Sequence, residues 1–100
     1  MNDLDFIVGL MRENYEGIGF IPKQTIQEQY LENHRVIIQT DTRGRKVGYL
    51  LHGNLNSKVL CVSQAVIEYD HREKGFGNLA VRELIDRAAQ CGCSKIKLHC

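Results

Sequence analysis

The stretch Arg72-Glu73-Lys74-Gly75-Phe76-Gly77 sets two glycines, one residue apart, behind two basic side chains. Residue types in that pattern suit the binding of a phosphate or pyrophosphate. The apolar run Ala65-Val66-Ile67 comes before it with strand character, and a helically spaced apolar series follows, so the glycines fall where a strand hands over to a helix. A helix start carries backbone N–H groups without intrahelical acceptors and the positive end of the helix dipole, and the two together hold an anion. Glycine lets that anion approach the main chain because no Cβ intervenes, and Arg72 and Lys74 can add charge-assisted contacts. A tight turn carrying solvated charges has the same local composition, so the elements around the loop must decide.

Those elements read in a definite order. Leu4, Ile7, Val8, Met11 and Tyr15 recur at three- and four-residue steps behind Asn2 or Asp3 as cap, which predicts an amphipathic helix ended by Gly17 and Gly19. Pro22 opens a second, shorter helix over Lys23 to Asn33, with Ile26, Tyr30 and Leu31 on one side. Val36 to Thr40 and Lys46 to Leu51 flank the turn-like Asp41-Thr42-Arg43-Gly44 and predict a hairpin, with a third antiparallel strand over Val59 to Tyr69. After the glycines, Phe76, Leu79, Ala80, Leu84, Ile85 and Ala88 form an apolar stripe, with Arg82–Asp86 and Glu83–Arg87 as four-residue-spaced pairs and Gly92 as a stop. Lys95 to Leu98 alternates as a last strand, which a strand–helix–strand connection returns parallel to the third.

Composition narrows the classes. The chain has 100 residues, 43% hydrophobic and 25% charged, enough for one domain with a two-layer core. Thirteen basic against 12 acidic residues give no global field for nucleic acid or an acidic membrane, so any anion site is local. No apolar run reaches the roughly 20 residues of a bilayer span, and Met1-Asn2-Asp3-Leu4-Asp5 lacks the order of a secretion signal, so the expected address is cytoplasmic. Cys61, Cys91, Cys93 and Cys100 lack zinc-knuckle spacing and read as reduced thiols, with no metal expected.

Two nucleotide-binding patterns compete with this reading. Gly75-x-Gly77-x-x-Ala80 satisfies a dinucleotide fingerprint, but that fold opens with a βαβ unit and has an acidic residue after its second strand, whereas antiparallel strands come first here. A Walker loop needs Gly-Lys-Ser/Thr, which does not occur.

At Arg72-x-x-Gly75-x-Gly77 the chain resembles the GNAT N-acetyltransferase superfamily, whose signature is Arg or Gln, two residues, Gly, one residue, then Gly or Ala. The likeness extends outward through the two helices, the hairpin with Val47-Gly48-Tyr49, the long strand, the loop, its helix and a parallel strand. It implies an α+β fold: a mostly antiparallel twisted sheet, helices on both faces, and one parallel crossover. It implies a single domain over residues 1–100, without the family's usual first strand and last helix and strands. It implies acetyl transfer from acetyl-CoA to a primary amine on a small molecule or protein. Ala65, Val66 and Ile67 then line the pantetheine arm through their main chain, and Arg72, Glu73, Lys74, Gly75, Phe76 and Gly77 hold the pyrophosphate.

The family's carboxylate base on the long strand has no counterpart, because Leu60, Cys61 and Val62 occupy that region. Glu68, Asp70, His71 and His52 are the nearest titratable groups, and no catalytic role follows for any of them. The alternative function is a non-catalytic, truncated CoA-binding or interaction module. The last strand, Ile96 to Cys100, would leave an open sheet edge, which predicts a homo-oligomer or a strand-exchanged dimer.

Overall fold

The computed structural model describes residues 2–54, 59–71, 75–92 and 95–97. Helix α1 (Asp3–Ile18) starts where Asn2 caps it: the Asn2 side-chain oxygen accepts from the Asp5 N–H at 2.8 Å. Helix α2 begins as a single α-turn (Lys23–Thr25) and widens into a π-helical stretch over Ile26–Leu31, where a regular helix was expected. Four strands follow, β1 (Val36–Thr40), β2 (Lys46–His52), β3 (Val59–Ile67) and β4 (Lys95–Lys97), with helix α3 (Phe76–Gln90) between the last two.

The sheet order is β1-β2-β3-β4, antiparallel for the first two pairings and parallel for β3 with β4. The β1–β2 turn is held by Asp41, whose side chain accepts from the N–H groups of Arg43 at 2.9 Å and Arg45 at 3.0 Å. The Arg45 backbone bond, followed by that from Arg43, lowers the Asp41 carboxyl below the usual carboxylate range. The fold is the α+β arrangement expected, and its two helical layers bury separate cores. Ile7, Met11, Ile26, Tyr49, Leu51 and Val66 pack beneath α1 and α2, while Ile37, Leu50, Leu60 and Val62 meet Ala80, Leu84 and Ala88 of α3.

The stripe on α3 is narrower than its sequence suggests. Leu79 and Ile85 are 52% and 49% exposed, and the buried residues are spaced by four: Ala80, Leu84 and Ala88. One sheet face touches only one line of a helix, and alanine above and below Leu84 lets the backbones approach.

Strand β3 changes faces half-way. Leu51 pairs with Gln64 and His52 with Val62, so Ser63 is an extra residue, a β-bulge. As a result Leu60 and Val62 face α3, whereas Val66 faces α1, although all three are even-numbered. An unbulged strand would place them on one side.

Candidate functional site

The candidate site lies at the end of β3 and the start of α3. Parallel pairing joins Val59 to Lys95, Leu60 to Ile96 and Cys61 to Lys97. On the other side of β3 the ladder with β2 continues to Glu68, whose N–H donates to the Val47 carbonyl at 2.7 Å. Antiparallel alternation then turns the main chain of Glu68, Val66 and Gln64 toward β2, and that of Ile67 and Ala65 away from it. Of the three residues expected to line the pantetheine arm, Ala65, Val66 and Ile67, Val66 lies in the ladder opposite Tyr49 and buries its side chain.

Gly48 sits opposite Ile67 across this ladder, and a Cβ there would overlap the Ile67 side chain and lie 2.8 Å from the Val66 carbonyl oxygen. Close approach of β2 is what keeps the end of β3 in place. Beyond Ile67 the chain makes a short 3₁₀ turn, Tyr69–His71. The Glu68 carboxylate there is held by Arg45 at 3.1 Å and lies 3.5 Å from His71 Nδ1.

Arg72, Glu73 and Lys74 lie outside the described residues. Gly75 is the N-cap of α3, with a left-handed backbone (φ +87°) and no side-chain cap bond to the helix start. The first α-helical bond at this end is from the Leu79 N–H to the Gly75 carbonyl at 3.1 Å, so the N–H groups of Phe76, Gly77 and Asn78 have no acceptor within the helix. A Cβ on Gly75 would meet none of the described residues within 4 Å, its chain neighbours apart. The glycine is required by its φ, and any side chain added there would project into the space in front of the helix start. This fits the cradle that a diphosphate needs.

The bulge gathers groups that the sequence reading passed over. The Tyr30 hydroxyl, on the π-helical turn of α2, donates to Ser63 Oγ at 2.9 Å. One residue on, the buried Gln64 accepts from the Tyr49 hydroxyl at 2.6 Å and donates to the Gly19 carbonyl at 3.3 Å. Burial pushes the Tyr49 phenol well above its usual range, so it stays protonated and serves as a donor. The Gly19 contact ties the α1–α2 loop to the bulge and leaves Phe20, 58% exposed, at its rim. The signal for this cluster was a polar pair, Ser63-Gln64, inside an otherwise apolar strand.

His52 is fully buried and stands apart from the site, between β2 and α3. Its Nδ1–H donates to the Gly53 carbonyl at 2.9 Å, which leaves Nε2 to face the Arg87 guanidinium at 3.4 Å. Arg87 also donates to the Val36 carbonyl at 3.1 Å and pairs with Glu83 at 3.3 Å, so it pins α3 to the start of β1. Burial first, and then the neighbouring Arg87 and Arg35, lower the histidine's pKa below its ordinary value. The sign follows: the unfolded chain takes up a proton below about pH 6.5 that the folded chain resists, so stability falls as pH drops through that value. Thermal unfolding between pH 8 and pH 5 is expected to show this acid limb and His52→Gln to flatten it; an undiminished limb in the variant excludes His52 as its source.

Cys61 is disulfide-bonded, contrary to the expectation of reduced thiols, whereas Cys91 is free and exposed. A cleft of about 360 Å³ lined by Asp3, Leu31, His34, Val36, Ile38 and Arg87 lies along β1, away from the α3 start. Among the described residues no cluster of three or more metal-ligating side chains occurs, and no helix is long and apolar enough to cross a membrane.

A family model described as Acetyltransferase (GNAT) family matches residues 4–100. The chain belongs to that family. No curated protein sequence matches it. Among solved structures it is similar to a ribosomal-protein-alanine N-acetyltransferase from Brucella melitensis biovar Abortus 2308, at 20% identity and a TM-score of 0.71, covering 97% of this chain and 73% of that one. AAC(6')-Iy, solved in complex with the bisubstrate analog CoA-S-monomethyl-acetylneamine, gives 15% identity and a TM-score of 0.74 over 96% of this chain and 73% of that one. N-acetylglutamate synthase from Neisseria gonorrhoeae, complexed with coenzyme A and N-acetyl-glutamate, gives 20% identity and a TM-score of 0.75 over 96% of this chain and 22% of that one. At these identities the likeness is one of fold.

Proposed function

We propose that this GNAT-family chain binds acetyl-CoA between the end of β3 and the start of α3 and transfers the acetyl group to a primary amine. The observation that carries the reading is a left-handed glycine, Gly75, that opens α3 after β3 without a side-chain cap. Ala65, Val66 and Ile67 are the segment along which an extended amide-bearing arm lies, and a diphosphate can sit on the N–H groups of Phe76 and Gly77. Arg72, Glu73 and Lys74 belong to the same cradle by their place in the motif. On the α1 side the exposed Phe20 offers an apolar surface to the carbon stem of the amine.

Titration calorimetry with acetyl-CoA, followed by a thiol-release assay over a panel of primary amines, tests the reading. Saturable binding with release of free thiol supports it, and absence of binding refutes it. Binding without thiol release across the panel selects the non-catalytic module instead. The same proposal covers a single domain over residues 1–100, a cytoplasmic setting, independence from nucleic acid and membrane, and a homo-oligomer or strand-exchanged dimer that covers the edge at β4. A strictly monomeric species in sedimentation would rule out the last of these.

A further inference from the structure

The cleft along β1 has a sheet edge as its floor. In the order β1-β2-β3-β4 strand β1 is outermost, and the whole segment from His34 to Arg45 is described. The His52 N–H donates to the Arg35 carbonyl at 3.0 Å and the Asp41 N–H to the Arg45 carbonyl at 2.9 Å, so the odd-numbered residues between them turn their main chain toward β2. Val36, Ile38 and Thr40 then turn theirs outward. Arg87 reaches from α3 to the Val36 carbonyl at 3.1 Å, but among the described residues nothing partners the outward N–H and C=O of Ile38. Edge strands are ordinarily guarded by lysine, proline or an inward charge. Val36-Ile37-Ile38-Gln39-Thr40 contains none of these.

The sequence of the edge decides what fits it. Laid antiparallel on a copy of itself with Ile38 opposite Ile38, the strand sets Val36 opposite Thr40 and Arg35 opposite Asp41. All the outward main-chain groups then meet. Ile38 exchanges both of its hydrogen bonds with its counterpart, and the Thr40 N–H donates to the Val36 carbonyl, whose second lone pair Arg87 leaves unused. The charges match as well. The Arg35 side chain forms no ion pair among the described residues, and Asp41 accepts from the Arg43 and Arg45 N–H groups through one carboxylate oxygen, which leaves the other for a cation. Both residues are odd-numbered, so they project from the same sheet face, and a twofold axis makes the contact twice. Half-buried Val36 and Ile38 lie between these charged ends.

We propose that two copies of this chain associate through β1, antiparallel about Ile38, and join their two four-stranded sheets into one. This edge is the opposite one from β4, and the pairing does not depend on the acetyl-CoA reading. Contact along a five-residue strand is small for a protein interface, so the dimer forms and dissociates with concentration.

Sedimentation velocity over a dilution series, amide hydrogen exchange and oxidative cross-linking test the proposal. Wild type should pass from monomer to dimer as concentration rises, and the Val36, Ile38 and Thr40 amides should exchange more slowly in the dimer. Thr40→Pro removes an outward N–H at an exposed position, and Arg35→Glu sets like charges opposite each other. Each change acts twice in a twofold dimer, so each should weaken association about 10-fold or more. Ile38→Cys should form an intermolecular disulfide under mild oxidation at a concentration where the parent chain, which keeps the exposed Cys91, does not.

A wild type that stays monomeric at every concentration overturns the proposal. So does a dimer that Thr40→Pro and Arg35→Glu leave undiminished, or one whose β1 amides exchange at the same rate at high and low concentration; both results place the contact elsewhere, the β4 edge included. The exchange measurement needs no substitution, so it decides even where a variant melts early.

Discussion

Replacing Gly75 with asparagine is expected to weaken acetyl-CoA binding by about 100-fold while the chain stays folded, a loss equivalent to about 2.7 kcal/mol. Two effects are separated by this choice. Gly75 lies at φ +87°, where most side chains are strained, but asparagine tolerates the left-handed region. Its side chain meets none of the described residues within 4 Å of a Cβ there, its chain neighbours apart. A ligand seated on the helix start is what it would displace, and charge-assisted hydrogen bonds there contribute about 1.5–3 kcal/mol each. Gly75→Val, by contrast, should add about 1–3 kcal/mol of backbone strain, visible as a lowered unfolding midpoint. Calorimetry on both variants checks the pair, and wild-type affinity in Gly75→Asn would place the phosphates elsewhere.

Gly48→Val should do the larger damage to the fold. Its Cβ has two obstacles, the Ile67 side chain and the Val66 carbonyl oxygen, and the second is backbone that cannot rotate away. Relief requires β2 to move off β3 where Ile67 is held. Overpacking of this kind costs about 1–3 kcal/mol and more when main chain must shift. For a chain of this size, about 3 kcal/mol is a fall of some 12 °C or more in the unfolding midpoint. Acetyl-CoA affinity should drop with it, because Ile67 and Ala65 belong to the displaced segment. A Gly48→Val variant with wild-type melting and binding would show that β2 does not hold the site in place.

The parts of this molecule that were legible beforehand are those governed by local rules. Asn2 before an amphipathic run gives α1, turn residues Asp41 to Gly44 between β-branched stretches give the hairpin, and Gly75 after a strand gives the helix start. Each depends on residues within a few positions of one another. The side-chain types of Ile26–Leu31 serve an ordinary helix and a π-helix alike, and what distinguishes them is how α2 must sit on the sheet. On α3, leucine and isoleucine satisfy a helical period whether or not a neighbour is present to cover Leu79 and Ile85. The bonding of Cys61 depends on tertiary proximity, which residue types alone do not supply.

At the candidate site the glycine loop was legible and the polar cluster at the bulge was not. A serine in a strand carries no signature until a bulge exposes it and a tyrosine 33 residues earlier in the chain is laid against it.

The packing of the two cores does not ask for residue 63 at all. With Ser63 excised, Val62 would run straight into Gln64, the ladder with Leu51 and His52 would become regular, and Val62 and Val66 would still fall on the faces they occupy now. The strand thus carries one residue beyond what its architecture requires, and a shortened chain should melt no lower than the parent. What such a deletion removes is a hydroxyl and a local widening of the strand, so any activity lost with it is lost for chemical reasons and not for want of a fold.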